Sequence, residues 1–323
     1  ADAFDPVDTA AEDIGLLIYT SGTTGDPKGV VHAHRTLLGH LPLFVTTFCN
    51  MAIEDDDVYW TPAAWAWIAS LFDVVVPGLF YGKPVVAYEG GPFDPETAFE
   101  IIERYDVTNF FAPPTALRMM MQVDDPASRY DVGSIRVVPS GGESLGQSIV
   151  DWADDVFGGA AVHEGYGQTE ANMIVGDCTA LIEFREGKIG RAGPGHDVTI
   201  VDPETAEEIG AGEVGEIAVR YDGDPVCFVE YLNKPEKTAR KVSNGWLLTE
   251  DLGVMDEDGY LSFKSRKDDV IISAGYRIGP VEVEESLAGH PAVADAGVIG
   301  IPDDERGEVP KAFVVLAAGV EAS

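Results

Sequence analysis

Between residues 57 and 168 the chain repeats one pattern: a short apolar run, a polar loop, then a stretch with helical spacing of its apolar residues. "DVYWTP" precedes an apolar helix over 67–80, and "KPVVAY" precedes a helix that Asp94 can cap and that runs through Tyr105. "VTNFFAPP" leads into "ALRMMMQV", and "SIRVVPSGGES" into a helix over 145–157. Upstream, "IGLLIYT" reads as a buried strand and 35–48 as a helix. Strands alternating with helices predict an α/β fold with mostly parallel sheets flanked by helices. From about residue 185 the text changes to short alternating strands, "DVTIVDPETAEEI", "GEIAVR" and "YLSFKS", with Gly and Asp turns. That is a small antiparallel β-unit. After "SRKDDV" come a strand, a helix over 281–289 and another strand, the start of a small α+β unit. The expected division is therefore 1–184, 185–265 and 266–323.

In an open α/β sheet, ligands sit beyond the carboxyl ends of the strands. Three such ends carry polar glycine-rich text: "YTSGTTGDPKG", "PSGGES" and "HEGYGQTEAN". In the first, glycines let backbone N–H groups turn toward an anion, hydroxyls add donors and Lys28 adds charge, which suggests phosphate. An ordinary Gly/Ser/Thr connection has the same composition, and the Walker spacing is absent. Convergence of three loops favours the phosphate reading. In "GQTE", Thr169 beside Glu170 suits a phosphate oxygen and its magnesium, although Thr-Glu alone also starts helices.

Charge narrows the partners. The sequence has 56 acidic and 21 basic residues, a net charge of −35, which repels nucleic acid and anionic membranes. Such a surface is expected to need salt for screening, as in a halophilic cytoplasm; an acidic mesophilic protein is the alternative. Eight of the cations lie in 234–277, so an anionic ligand is expected there, unless they only pair with acidic neighbours. Three separated cysteines without a CxxC pair argue against disulfides or structural zinc, and no leader or membrane span is legible, so a cytoplasmic location is expected. His32, His34 and His163 are read as structural or solvent-facing rather than as metal ligands.

"YTSGTTGDPKG", "YGQTE", "GWLLTEDLG" and "SRKDDVIISAGYRIGPVEVE" occur in this order, and over nearly the whole chain the sequence resembles the adenylate-forming (AMP-binding) superfamily. It looks most like the branch of acetyl- and medium-chain acyl-CoA synthetases. The resemblance implies a mobile phosphate loop at Thr20, Ser21, Gly22, Thr23, Thr24 and Gly25, with Lys28 beside it. It implies that Gly142, Glu143 and Ser144 lie along adenine, with Glu164, Gly165 and Tyr166 near its other side. Thr169 would meet the α-phosphate and Glu170 the Mg²⁺, while Asp251 and Arg266 would hold the ribose. Asp268 matches a hinge, and Gly275 and Arg277 would face CoA. The acyl pocket would be formed by Trp67, Ile68, Ala69, Gly141 and Gly167; its glycines and alanine imply an open slot for a medium-length acid, which Gly167→Trp would shorten.

Two positions depart from the pattern: Asp26 where lysine is common, and Glu250 where glycine is usual. Lys311 in "VPKAFVV" reads as the start of a strand and does not match the family's C-terminal catalytic lysine. The resemblance therefore implies a haloarchaeal-type piece of a longer enzyme, lacking both ends and with its own activity in doubt. The implied reaction has two steps: a carboxylic acid and MgATP give acyl-adenylate and pyrophosphate, then CoA displaces AMP. Transfer to a carrier protein, or nucleotide binding without catalysis, are the alternatives. The acid itself and the oligomeric state are not legible.

Overall fold

A computed structural model of the chain describes residues 5–20, 27–274, 276–290, 292–303, 306–317 and 320, with the backbone alone at Arg277. Strands β1 (Ile14–Thr20) and β2 (Lys28–Ala33) form an antiparallel hairpin, with Thr20 opposite Lys28. This corrects two expectations for "IGLLIYT". The strand is mostly exposed, with only Ile18 buried, and the glycine-rich text joins two strands of a hairpin rather than a strand to a helix.

The alternating region then follows in order. Helix α1 (Arg35–Leu43) runs into a π-helical turn over Phe44–Phe48. After β3 (Tyr59–Trp60), helices α2 (Ile68–Ser70) and α3 (Val76–Phe80) flank a second π-helical turn, Leu71–Val75. Helix α4 (Pro95–Tyr105) starts where Asp94 accepts the Thr97 N–H at 2.8 Å and stops where Asp106 turns left-handed at φ +49°. Next come β4 (Asn109–Phe110), α5 (Pro114–Met120), α6 (Pro126–Arg129), β5 (Val137–Gly141), α7 (Gln147–Val156), β6 (Ala161–Gln168), β7 (Asn172–Gly176) and β8 (Arg191–Ala192). They build a six-stranded sheet in the order β3-β4-β5-β6-β7-β8, parallel through β6 and antiparallel beyond. "KPVVAY" contributes a single bridge, Val85 to Tyr59, rather than the expected strand. Phe99, Ile102, Leu117 and Ile149 bury the apolar faces of α4, α5 and α7 against Phe110 and Val138, and that shared burial keeps the strand ends in register.

The second region is antiparallel. Its strands β9 (Val198–Val201), β10 (Gly215–Arg220), β12 (Val242–Ser243), β13 (Trp246–Met255) and β14 (Leu261–Arg266) form one sheet, while β11 (Glu230–Tyr231) joins β2 in the hairpin sheet and α8 (Pro235–Lys241) follows it. The β13–β14 connection turns on Asp256, whose Oδ1 accepts the N–H groups of Asp258 and Tyr260. A core of Ile174, Val175, Ile217, Phe228, Leu247 and Leu261 fuses this region to the larger sheet. Last come β15 (Ile271–Ser273), β16 (Tyr276–Ile278), α9 (Pro280–Ala288), β17 (Val293–Asp303) and β18 (Gly307–Leu316), which share a four-stranded sheet. Lys311 lies within β18 rather than at its start, with its ammonium over the Phe313 ring.

Candidate active site

One cavity of about 420 Å³ opens where the base of the β1–β2 hairpin, the loop after β5, the end of β6 and a kink in β13 meet. Thr20, Lys28, Trp67, Ile68 and Ala69 reach it, as do Gly141 through Ser144, Glu164 through Gly167, Thr169, Glu170, Asp251 and Arg266. Residues scattered over 247 positions of sequence thus share one space. Ser21, Gly22, Thr23, Thr24 and Gly25 of the expected phosphate loop, and Gly275, lie outside the described residues. Asp268 is not part of the cavity lining, and the backbone of Arg277 pairs with Ile272 in the β15–β16 hairpin.

At one end, the Tyr166 hydroxyl donates to Asp251 Oδ2 at 2.7 Å, and Arg266 Nε stands 3.2 Å from Asp251 Oδ1. Burial pushes the Asp251 carboxyl up, while Tyr166, Arg266 and Lys241 pull it back down. Asp251 is aimed into the cavity by a bulge: Ala218 pairs with Leu248 but Glu216 pairs with Leu252, so β13 carries extra residues there. Glu250 occupies that bulge at φ +66°, a left-handed conformation that favours glycine and costs another residue on the order of 1 kcal/mol. Its N–H donates to Glu216 Oε1 at 2.8 Å, and its carboxylate lies 3.5 Å from the buried Lys241 ammonium, which offsets the strain. Glu164 retains some surface toward the cavity, yet desolvation pushes its carboxyl up to about 7 against the Leu145 N–H, with Glu285 and Asp177 adding repulsion. Glu143 is tied outward by the Thr115 hydroxyl and by Arg118, and the Ser144 hydroxyl donates to Glu285 of α9 at 2.8 Å.

Toward the hairpin, Lys28 Nζ lies 4.0 Å from Glu170 Oε1 and 4.8 Å above the Tyr231 ring. The Tyr231 hydroxyl donates to the same oxygen at 2.5 Å, and the Phe228 N–H holds the Glu170 carbonyl. Glu170 is therefore a buried residue whose carboxylate is held by the Tyr231 hydroxyl and whose backbone carbonyl is held by Phe228, which leaves the second carboxylate oxygen able to serve a divalent cation that brings its other ligands from a phosphate chain. Among the described residues, no group of three His, Cys, Asp or Glu side chains could hold a metal alone. His32 Nε2 lies 2.7 Å from the Thr169 carbonyl, His163 bonds Thr47 and Thr179, and burial drops the His163 pKa to about 4. These two rings are structural, and His34 is exposed, as the sequence suggested.

The opposite end is walled by Trp67 and Phe111, whose rings lie 5.8 Å apart, with Ile68 and Ala69 beside them. Gly141 and Gly167 both line the cavity, but neither position has room for a side chain. A Cβ on Gly167 would stand 1.9 Å from the Asn172 carbonyl oxygen, and one on Gly141 2.6 Å from the Gly165 carbonyl oxygen. Both glycines allow backbones to approach, so Gly167→Trp would disrupt the β6–β7 pairing rather than shorten a pocket. Sequence reasoning also missed Tyr231, Lys241, Asp73 and Asn172. Of these, only Lys241 carried a signal, as one of the cations clustered over 234–277.

The profile of the AMP-binding enzyme family matches residues 2–224, and that of the AMP-binding enzyme C-terminal domain matches 282–323. The chain is 38% identical over 313 residues to the uncharacterized acyl--CoA ligase YtcI of Bacillus subtilis (strain 168), covering 97% of this chain and 58% of that protein. It is 38% identical over 319 residues to the mitochondrial acyl-coenzyme A synthetase ACSM4 of Homo sapiens, covering 97% and 53%. In three dimensions it is similar to the anthranilate CoA ligase AuaEII in complex with anthranoyl-AMP, at a TM-score of 0.90 and 28% identity, covering 99% of this chain and 60% of that one. The chain spans about half the length of the curated relatives it matches. A mixed α/β core that gathers hydroxyls, a buried carboxylate and a tyrosine–aspartate–arginine set at its strand ends agrees with these matches, and the chain belongs to the AMP-binding enzyme family.

Proposed function

We propose that this chain is the nucleotide- and acid-binding part of an AMP-forming acyl-CoA synthetase, a ligase that activates a medium-length carboxylic acid with MgATP and passes it to CoA. The observation that carries the reading is the cavity that Lys28, Thr169 and Glu170 share with the Asp251–Arg266 pair and with Trp67 and Phe111. In that arrangement Asp251 and Arg266 take the ribose hydroxyls and the loop from Gly142 to Ser144 lies along adenine, with Glu164, Gly165 and Tyr166 on its other side. Thr169 and Lys28 neutralise charge at the phosphates as the acid carboxylate attacks the α-phosphorus. The Glu170 carboxylate holds Mg²⁺, which supplies charge neutralisation at the phosphates. The acid lies between Trp67, Ile68 and Ala69.

The proposed division of labour follows residues 1–184, 185–265 and 266–323, with Asp268 as the pivot that lets Gly275 and Arg277 meet CoA. Three buried free thiols fit a reducing, cytoplasmic location, and the net charge of −35 fits a high-salt one. No helix among the described residues is long and apolar enough to cross a membrane. The test is acid-dependent exchange of pyrophosphate into ATP, followed by CoA-dependent release of AMP, in the protein carrying its natural flanking sequence. Both activities are expected. Exchange without CoA-dependent release would point to a carrier protein as acceptor, and loss of both would leave a nucleotide-binding protein without catalysis.

A further inference from the structure

The acid end of the cavity is not the apolar sleeve its walls suggest. Beyond Trp67 the chain enters the π-helical turn Leu71–Val75, a helix irregularity that recurs at functional sites, and this turn presents Asp73 to the cavity. Asp73 is 1% exposed and Asn172, which also lines the cavity, is 2% exposed. Neither polar atom of the Asn172 amide has an aligned hydrogen-bond partner, although Asn172 lies close enough to Asp73 to favour its ionised form. His40 Nε2 stands 2.9 Å from Asp73 Oδ1, but the two are not aligned as a hydrogen bond, and the other ring nitrogen is unpartnered as well. Ser70 Oγ, one turn before Asp73, is in the same condition. His40 and Ser70 stand behind the lining, whereas Asp73 and Asn172 face the cavity; buried polar groups are almost always satisfied in folded proteins, so these two unaligned side chains on a ligand cavity mark the position of a ligand's polar group.

The geometry points to an acid substrate that carries a hydroxyl on its chain, held by Asn172 and Asp73 at the far end of the cavity. This rests on the proposed acid-activating function and adds the chemical class of the acid. A hydroxyl both donates and accepts, so it answers a carboxylate oxygen and an amide N–H together. An ammonium group would leave the Asn172 N–H unanswered and would need to be stripped of water. An unsubstituted alkyl chain would leave the Asn172 amide buried without an aligned partner beside Asp73, and sites of this kind discriminate strongly against a substrate that lacks the hydrogen-bonding group.

The experiment uses the protein with its natural flanking sequence and compares kcat/KM in acid-dependent pyrophosphate exchange for hexanoate and its monohydroxy isomers from the third carbon outward. At least one isomer is expected to exceed hexanoate by about tenfold or more. Asn172→Leu and Asp73→Leu should each reverse that order, and if neither variant folds, the wild-type ratio decides alone. Hexanoate equal to or better than every isomer in the wild type overturns this inference and leaves acid activation standing. Absence of exchange with every acid removes acid activation, and this inference with it.

Discussion

The two ends of the cavity differ in how fully their polar groups are answered. At the end with Tyr166, Asp251 and Arg266, and beside it at Lys28, Tyr231 and Glu170, each carboxylate has a hydroxyl donor on one oxygen and a cation nearby, with only Asp251 Oδ1 lacking an aligned donor. At the end with Asp73, Asn172 and His40, polar atoms are buried among aromatic and aliphatic walls without aligned partners. The first end can hold its shape empty and exchange one partner for a ligand oxygen. The second is complete only when something polar enters it. A preformed set of pairs favours rapid binding of a common ligand, whereas an unsatisfied set favours selectivity, because a wrong ligand leaves the cost in place.

Four substitutions probe that contrast, in order of expected effect. Gly167→Ala places a Cβ against the Asn172 carbonyl oxygen, beside both ends at once, and should destabilise the fold by about 3 kcal/mol or more. Thermal denaturation would show it, with Gly91→Ala, where a Cβ meets nothing within 4 Å, as the tolerated control. Glu170→Gln should lower MgATP-dependent pyrophosphate exchange on the order of 10²-fold with little change in melting temperature, since the amide keeps the shape but loses the charge. A rate within twofold of wild type would mean that this carboxylate serves only the fold.

Glu164→Gln tests the pH side of the comparison. The carboxyl is raised from 4.5 to about 7 in the folded state, so ionising it opposes folding. The cost is absent below pH 4.5, grows between there and about 7 and is constant above, so the variant should gain stability at pH 8 relative to pH 4, by on the order of 1–3 kcal/mol. Equal gains at both pH values would remove burial as the cause. Tyr231→Phe should have the smallest effect, about 1 kcal/mol or fivefold in exchange, because Lys28 still faces Glu170. A larger loss, measured as kcat/KM for ATP, would show that the phenol does more than hold a carboxylate still.

Local text carried much of this arrangement and failed where distance or backbone geometry decided. Asp94 at a helix start, the Gly and Asp turns of the β-unit and the loop before α7 were legible because caps and turns depend on residues three or four apart. Two of the three strand-end motifs, after β5 and at the end of β6, were legible because an α/β alternation fixes which loops share an edge, whereas the first belongs to the hairpin of a separate sheet. By contrast, the exposure of β1 depends on its pairing in a hairpin whose third strand, β11, comes about 200 residues later, beyond any local pattern. Gly167 could not be read as a packing glycine, because the carbonyl it accommodates belongs to a neighbouring strand. His40 and Asp73 sit 33 positions apart on different helices, and each alone reads as an ordinary polar residue in an apolar helix.

Lys267, the residue just before the expected pivot, bears on how the last unit can behave. Its N–H donates to the Glu250 carbonyl, and its ammonium reaches Glu216 Oε2 at 3.0 Å and the Pro203 carbonyl at 2.9 Å, on a carboxylate that is almost wholly buried. The chain is clamped up to that residue. Beyond it, polar ties from α9 and β17 back to the rest include Ser144–Glu285, Lys264–Glu282 and Arg118–Asp295, all near the surface and each worth little in water. A part mounted this way has a stiff bearing and weak detents. What the polar ties contribute to holding it in place is small beside what clamps Lys267.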